Sequence, residues 1–134
     1  MYIESPIVLV YHCTQEQLQK LTRACALCRL EWKTLPDEEA GMPLGMAADA
    51  KEWINPLLAA THGIQNYSPL TEPLLVMAGF DEKLLDRFLA AMRSEQLSIS
   101  MKAVLTENNA NWNALQLAGH IDQERRAIQS RKSK

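Results

Sequence analysis

The sequence lacks any long apolar run, and it has few cysteines. Nowhere do 18 apolar residues follow one another, so we expect no transmembrane helix. The opening segment MYIESPIVLVYHC has neither a basic n-region nor a small-residue cleavage site. Three cysteines, an odd number, are typical of reduced thiols and argue against a disulfide framework. We therefore predict a cytoplasmic protein.

Acidic residues are missing from one end of the chain. The last ten residues, RRAIQSRKSK, hold five of the 14 Lys and Arg residues, so the remainder carries nine basic against 16 acidic residues. A basic tail can attract phosphates or an acidic partner, but most such tails are solvated and unordered. We predict a flexible tail over about 125–134. The acidic body argues against a nucleic-acid partner, and we expect no membrane partner.

The remaining composition is that of an ordinary globular protein. Hydrophobic residues make up 47% and charged residues 22% of the 134 residues, which is enough to build a real core. This length is typical of one domain. We therefore predict a single domain over residues 1–134.

The chain contains an internal repeat. Residues 6–32 align with residues 73–99 without a gap, so that Pro6 meets Pro73 and Leu30 meets Leu97. Repeats of this kind indicate one structural unit used twice. We place the two repeats at about 5–60 and 72–129, joined by a turn-rich connection at 61–72.

Each repeat has the pattern of a βαβ unit. It opens with an apolar run of strand length, IVLVY or LLVMA. Thr14 and Asp81 are then good N-caps for an amphipathic helix. The second strands are predicted from alternating apolar residues: Leu30, Trp32 and Thr34 in the first unit, and Leu97, Ile99, Met101, Ala103 and Leu105 in the second. A further helix is predicted at about 43–60, with Pro56 bending or ending it, and another at 111–129.

Two fold classes fit these elements. We favour an α+β fold in which the two βαβ repeats form a ferredoxin-like sheet, with the two first strands in the middle and an extra helix after each repeat. The alternative is an α/β parallel sheet covered on both faces.

The second repeat resembles a known family. The residues that carry the likeness are Gly79-Phe80 after a strand, LDRFL at 85–89 on a helix, and KAVLT at 102–106 followed by asparagines and Trp112. They are similar to an uncharacterised family of small bacterial proteins, a domain of unknown function, over about residues 72–120. Related sequences often read Thr-x-x-Asn-x-x-Trp, and here Asn108, Asn109 and Asn111 all lie in that stretch. The resemblance implies no activity.

The segment KAVLTENNANW allows two interpretations. Lys102 and Thr106 lie on one face of the predicted strand, and beside a helix start they would suit a phosphate or carboxylate. The simpler interpretation is that Asn111 caps the helix, Asn108 or Asn109 closes an Asx turn and Trp112 packs on the sheet. The candidate ligand-binding residues are Gly79, Phe80, Lys102, Thr106, Asn108, Asn111 and Trp112.

A metal site is a weaker alternative. His12, Cys13, Cys25 and Cys28 could supply four ligands, but the repeat sets Cys13 against Phe80 and Cys25 against Met92, as expected of core positions. The two later cysteines also lie near the end of their helix, where the dipole disfavours a thiolate. We predict no metal and no cofactor. No paired carboxylates or nucleophile motif nominate a catalytic residue.

Two functional hypotheses follow. The preferred one is a non-catalytic interaction or regulatory domain that self-associates, with a dimer surface supplied by edge strands and by Trp32, Trp53 and Trp112; a protein partner would fit it too. The alternative is a small-molecule sensor or an enzyme that binds an anionic metabolite or nucleotide at the last strand-to-helix turn.

Overall fold

The computed structural model of the chain describes residues 2–51 and 70–132. The first unit consists of β1 (Ile7–Tyr11), α1 (Gln15–Cys28), β2 (Glu31–Leu35), a 3₁₀ turn (Asp37–Glu39) and α2 (Leu44–Ala47). The second unit consists of β3 (Leu74–Ala78), α3 (Glu82–Ser94), β4 (Met101–Val104) and α4 (Ala114–Lys132). Both predicted first strands and both predicted N-capped helices are confirmed.

The four strands of the described residues form one mixed sheet in the order β2-β1-β3-β4. Strand β1 runs parallel to β2, β3 runs parallel to β4, and the two central strands are antiparallel. The first strands of both units are therefore central, as predicted. The ferredoxin-like arrangement is not confirmed, because a split βαβ unit separates its two strands, whereas here they are direct neighbours. The alternative is wrong in its parallel sheet, because the central pair is antiparallel, but its coverage of both faces of the sheet is found.

Residues that the sequence alignment sets against each other also meet in the sheet. Leu9 faces Val76 in the central pair, and the alignment of residues 6–32 with 73–99 sets these two residues against each other. The same offset relates Arg29 and Gln96, which end their helices in the left-handed conformation with φ of 55° and 57°. Three extra residues, 98–100, then precede β4. Beyond these three residues the two units correspond again. Pro43 forms an isolated antiparallel bridge with Asn113, which is the residue at the same place in the second unit.

Local capping explains where helices α1 and α3 begin. The Thr14 hydroxyl accepts a hydrogen bond from the Gln17 amide, and the Gln17 side chain accepts one from the Thr14 amide, which completes a capping box. Asp81 Oδ1 accepts a bond of 2.7 Å from the Leu84 amide. Both caps satisfy backbone donors that the first helical turn leaves free.

Side chains of the sheet are buried on both faces. The first core lies between the sheet and helices α1 and α3; it contains Val8, Val10, Leu75 and Met77 of the strands with Leu21 and Phe88 of the helices. The second core lies on the opposite face, with helices α2 and α4; it contains Leu9, Tyr11, Leu74 and Val76 with Leu44, Ala114 and Leu117. The structure is a three-layer α/β/α arrangement.

The alternation predicted from Leu97 to Leu105 is wrong in part. Leu97 and Ile99 pack into the first core, whereas Met101 and Leu105 pack into the second. The face changes because β4 begins only at Met101, after the three extra residues. The apolar alternation in the sequence continues through residues 98–100, but the chain there is not an extended strand.

The predicted helices after each unit differ in outcome. In the first unit, helix α2 has only four residues, and the prediction is wrong for residues 48–51, where Asp49 has φ 55° and Lys51 forms a bridge with Tyr2. Residues 52–60 of the predicted helix, with Trp53 and Pro56, lie outside the described residues, as do 61–69 of the connection. In the second unit, α4 is present and continues to Lys132, so residues 125–132 of the predicted tail are helical. Within the described ranges, no helix is long and apolar enough to cross a membrane.

Candidate functional site

The predicted site at the last strand-to-helix turn is closed by its own hydrogen bonds. The Asn109 side chain accepts a bond of 2.8 Å from the Thr106 amide and donates one of 3.1 Å to the Val104 carbonyl. The Thr106 hydroxyl in turn accepts from the Asn109 amide at 3.3 Å. We call residues 104–113 the Asn109 turn. The side chains of Thr106 and Asn109 therefore hold the backbone of this turn in place.

The asparagine that caps α4 is Asn113, and the predicted cap at Asn111 is wrong. Asn113 Oδ1 accepts a bond of 2.8 Å from the Gln116 amide. Asn111 is buried two residues earlier, and Asn108 is exposed. With several asparagines in one turn, the pattern alone does not say which one stands at the N-cap.

The other predicted residues of this site are also engaged. The Lys102 ammonium donates a bond of 2.8 Å to the Ile99 carbonyl. Trp112 stacks on His120, with ring centroids 4.2 Å apart and an interplanar angle of 11°, and it packs against the second core. The Lys102 side chain therefore folds back and bonds to the backbone of the segment that precedes β4.

Gly79 and Phe80 have structural roles. Gly79 has φ 77°, and a Cβ atom there would come within 2.9 Å of the Ile3 side chain, so glycine is needed for both reasons. Phe80 packs edge-on against Phe88, with centroids 5.7 Å apart and an interplanar angle of 73°. Because β3 and β4 are parallel, Gly79 and Phe80 lie at the same end of the strands as Thr106.

The weak metal set does not assemble. In the part of the chain that the structure describes, no group of three or more His, Cys, Asp or Glu side chains is placed to hold a metal ion. Cys25 and Cys28 are buried in the first core, and Cys13 is packed at its margin. Burial raises the pKa of Cys25 to about 12, and the neighbouring Cys28 contributes.

A cleft of about 780 Å³ opens in the first unit, at the carboxyl ends of the parallel strands β1 and β2. Its walls come from segments 10–18 and 34–37, with Thr71 and Pro73 from the chain before β3. We call it the first-unit cleft. In open α/β sheets, ligands bind outside the carboxyl ends of parallel strands. Sequence reasoning missed this place, although the repeat relates it to Gly79, Phe80 and Thr106 in the second unit.

The polar groups of the first-unit cleft come from the β1–α1 turn, the start of α1, strand β2, the 3₁₀ turn and the chain before β3. His12 has φ 60°, and its Nδ1 lies 3.4 Å from Asp37 Oδ1 of the 3₁₀ turn. Thr14 and Gln17 are held by the capping box. Burial raises the pKa of the Cys13 thiol to about 11, so that thiol stays protonated near neutral pH. The cleft offers hydrogen-bonding groups beside apolar walls.

The second unit also matches a known family. Residues 73–128 fit the family described as Domain of unknown function (DUF3783). The matched range starts just before β3 and ends within α4, so it covers one of the two units. A search of the curated proteins gave no match, and neither did a search of the solved structures. The resemblance of the second repeat to a domain of unknown function is confirmed over residues 73–128.

Proposed function

We propose that this protein is a non-catalytic domain of an interaction or regulatory kind, and that it binds a small molecule in the first-unit cleft. The observation that carries the proposal is the open cleft at the carboxyl ends of β1 and β2. A pocket with apolar walls and a few convergent polar groups is the usual form of a small-molecule site. The three free cysteines support a cytoplasmic location as part of the proposal.

The chemistry of the cleft favours binding over catalysis. A thiolate is the reactive form of cysteine, and burial keeps the Cys13 thiol protonated by raising its pKa to about 11. The Thr14 hydroxyl is used as a helix cap. His12 and Asp37 approach at 3.4 Å, but the Asp37 side chain is 66% exposed, and solvent weakens such a pair.

The turn proposed from the sequence is the competing location. Its Lys102 ammonium and Asn109 amide already bond to backbone groups, so a ligand there would have to displace these bonds. In the first-unit cleft, Thr14 and Gln17 Oε1 are likewise used in the capping box, but among the described residues the exposed Thr34 hydroxyl holds no backbone group. This difference is why we place the ligand in the first unit.

A thermal-shift screen tests the proposal. The parent protein would be screened against nucleotides, phosphorylated metabolites, carboxylates, amines and neutral polar compounds, because binding to the folded state raises its melting temperature. Each hit would be repeated on Thr34→Val, which changes the cleft wall to the residue type found at Val104. Lys102→Ala, in the second unit, is the matched control.

A shift that is reduced in Thr34→Val and kept in Lys102→Ala is the expected result. The opposite pattern would return the site to the Asn109 turn. A parent protein that no compound stabilises would contradict small-molecule binding.

Self-association is the second candidate. It is favoured by the position of β2 at the sheet edge with the half-buried Trp32 on it, because edge strands can pair with another chain. Light scattering on the parent and on Trp32→Lys over a wide concentration range tests it. A dimer mass that falls to a monomer mass in the variant is expected, and a parent that stays monomeric would contradict this candidate.

A further inference from the structure

The second unit shows what fills the counterpart of the first-unit cleft. The sequence repeat sets Phe80 at the place of Cys13 and Leu84 at the place of Gln17. In the second unit, the Phe80 ring packs edge-on against Phe88, and both Phe80 and Leu84 join the first core. A phenyl ring of the chain itself therefore packs at the start of α3.

The first unit has the same backbone but smaller and more polar side chains. Thr14 and Asp81 cap corresponding helices, and His12 takes the left-handed conformation that Gly79 has in the second unit. At the place of Phe88 the first unit has Leu21, which is fully buried. Cys13, at the place of Phe80, lines the cleft, whereas Leu21 does not, so the exchange that bears on the cleft is the loss of the Phe80 ring.

The polar exchanges lie on the wall of the cleft. Gln17 replaces Leu84, and the strand register sets Thr34 at the place of Val104, since β2 and β4 correspond after the three extra residues. Both Gln17 and Thr34 line the cleft. Thr34 is exposed, and Gln17 Oε1 already accepts a bond from the Thr14 amide, so the groups that this wall offers to a ligand are the Thr34 hydroxyl and the Gln17 Nε2 group.

We propose that the first-unit cleft takes a small molecule with one phenyl-sized ring and an attached hydrogen-bonding group, with its ring where Phe80 lies in the second unit. This inference rests on the proposed function and specifies its ligand. The ring replaces the missing aromatic side chain, and the polar group meets Gln17 or Thr34. The second unit carries its own occupant and needs no ligand.

The charge of the cleft selects among such molecules. Its described lining includes the Asp37 carboxylate but neither lysine nor arginine. A carboxylate repels anions and attracts cations, and since Asp37 is 66% exposed this preference for an aromatic amine or a phenol over a phosphate is small. Tyramine, which has a phenol ring and an ammonium group, is a suitable probe.

The test uses two-dimensional NMR of the ¹⁵N-labelled full chain, titrated with tyramine, phenol, ethanolamine and inorganic phosphate. We expect tyramine and phenol to shift amide signals of residues 10–18 and 34–37. Burial of the ring should make tyramine bind about tenfold or more tightly than ethanolamine, which lacks it.

The variant Cys13→Phe places in the first unit the residue that the second unit has at Phe80. We expect it to keep the parent's spectrum elsewhere and to lose the tyramine shifts. If it does not fold, Cys13→Leu fills part of the same space and should weaken tyramine at least severalfold. Phe80→Ala, which removes the ring from the second unit, should create a second tyramine site around residues 79–84.

Each outcome separates this inference from the proposed function. If ethanolamine or phosphate shifts the amide signals of the cleft residues and the ring compounds do not, the inferred aromatic ligand is wrong, but the cleft is still a binding site. The inferred aromatic ligand is also wrong if none of the four probes shifts these signals while the thermal-shift screen finds another ligand whose binding is weakened by Thr34→Val. If that screen also finds nothing, both fail. Tyramine binding that persists unchanged in a folded Cys13→Phe would overturn the assigned position.

Discussion

At the scale of single residues, the turn before α4 is stabilised by Asn109. Its side chain bonds to the Thr106 amide and the Val104 carbonyl, and it is only 9% exposed. The neighbouring Asn108 is exposed. The two asparagines are therefore adjacent in sequence, but the Asn109 side chain is a buried part of the turn and the Asn108 side chain faces solvent.

We expect Asn109→Ala to lower the free energy of unfolding by about 1–3 kcal/mol, because it leaves a backbone amide and a carbonyl without their partner. The matched control Asn108→Ala should change stability by less than about 0.5 kcal/mol. Urea unfolding of both variants measures this. Equal effects of the two substitutions would show that the turn does not depend on Asn109.

The sequence could predict an asparagine-closed turn here, but not which asparagine acts. Asn108 and Asn109 can both close an Asx turn, and the sequence alone does not select between them. The helix cap is undecided for the same reason. Asn111 and Asn113 are both acceptable N-cap residues, and only the backbone conformation of the turn decides between them.

At the scale of elements, helix α4 is tied to the chain before β3 by an ion pair. The Glu72 carboxylate accepts bonds of 3.2 and 2.8 Å from the Arg125 guanidinium and one of 3.0 Å from the Ser100 hydroxyl. The bonds from Arg125, and then from Ser100, lower the pKa of Glu72 from 4.5 to about 2. This pair anchors a helical part of the predicted flexible tail.

We predict that the Glu72 contribution to stability is lost in acid. A carboxyl whose pKa is lower in the folded state stabilises the fold above its unfolded pKa, and the effect disappears as the pH falls through the folded pKa. The parent should therefore be more stable than Glu72→Gln at neutral pH, and the difference should shrink between pH 4.5 and about 2.

Urea unfolding of both proteins over this pH range measures the difference. Glu124→Gln, which removes an exposed carboxylate from α4 itself, controls for net charge. A difference between parent and Glu72→Gln that does not change with pH would contradict the role of the ion pair. Sequence reasoning could not find this pair, because Glu72 and Arg125 are distant in the chain and neither belongs to a motif.

At the scale of the whole molecule, the two units share both cores. Strands β1 and β3 pair at the centre of the sheet, and α1 packs on α3 through the first core. The sequence repeat predicted the central position of the two first strands. It did not predict that each second strand pairs with the first strand of its own unit, because a strand buried on both faces carries no mark of which strand lies beside it.

Shared cores lead us to expect that the two units unfold together. Leu21→Ala in the first unit should cost about 2–5 kcal/mol and Phe88→Ala in the second about 3–5 kcal/mol. Each should move one common transition, because each side chain fills a core that both units build. Fluorescence of proteins that keep only Trp32 or only Trp112 would follow the two units separately during urea unfolding. Coincident transitions are expected, and a Leu21→Ala protein whose Trp32 signal changes before its Trp112 signal would show that the units are independent.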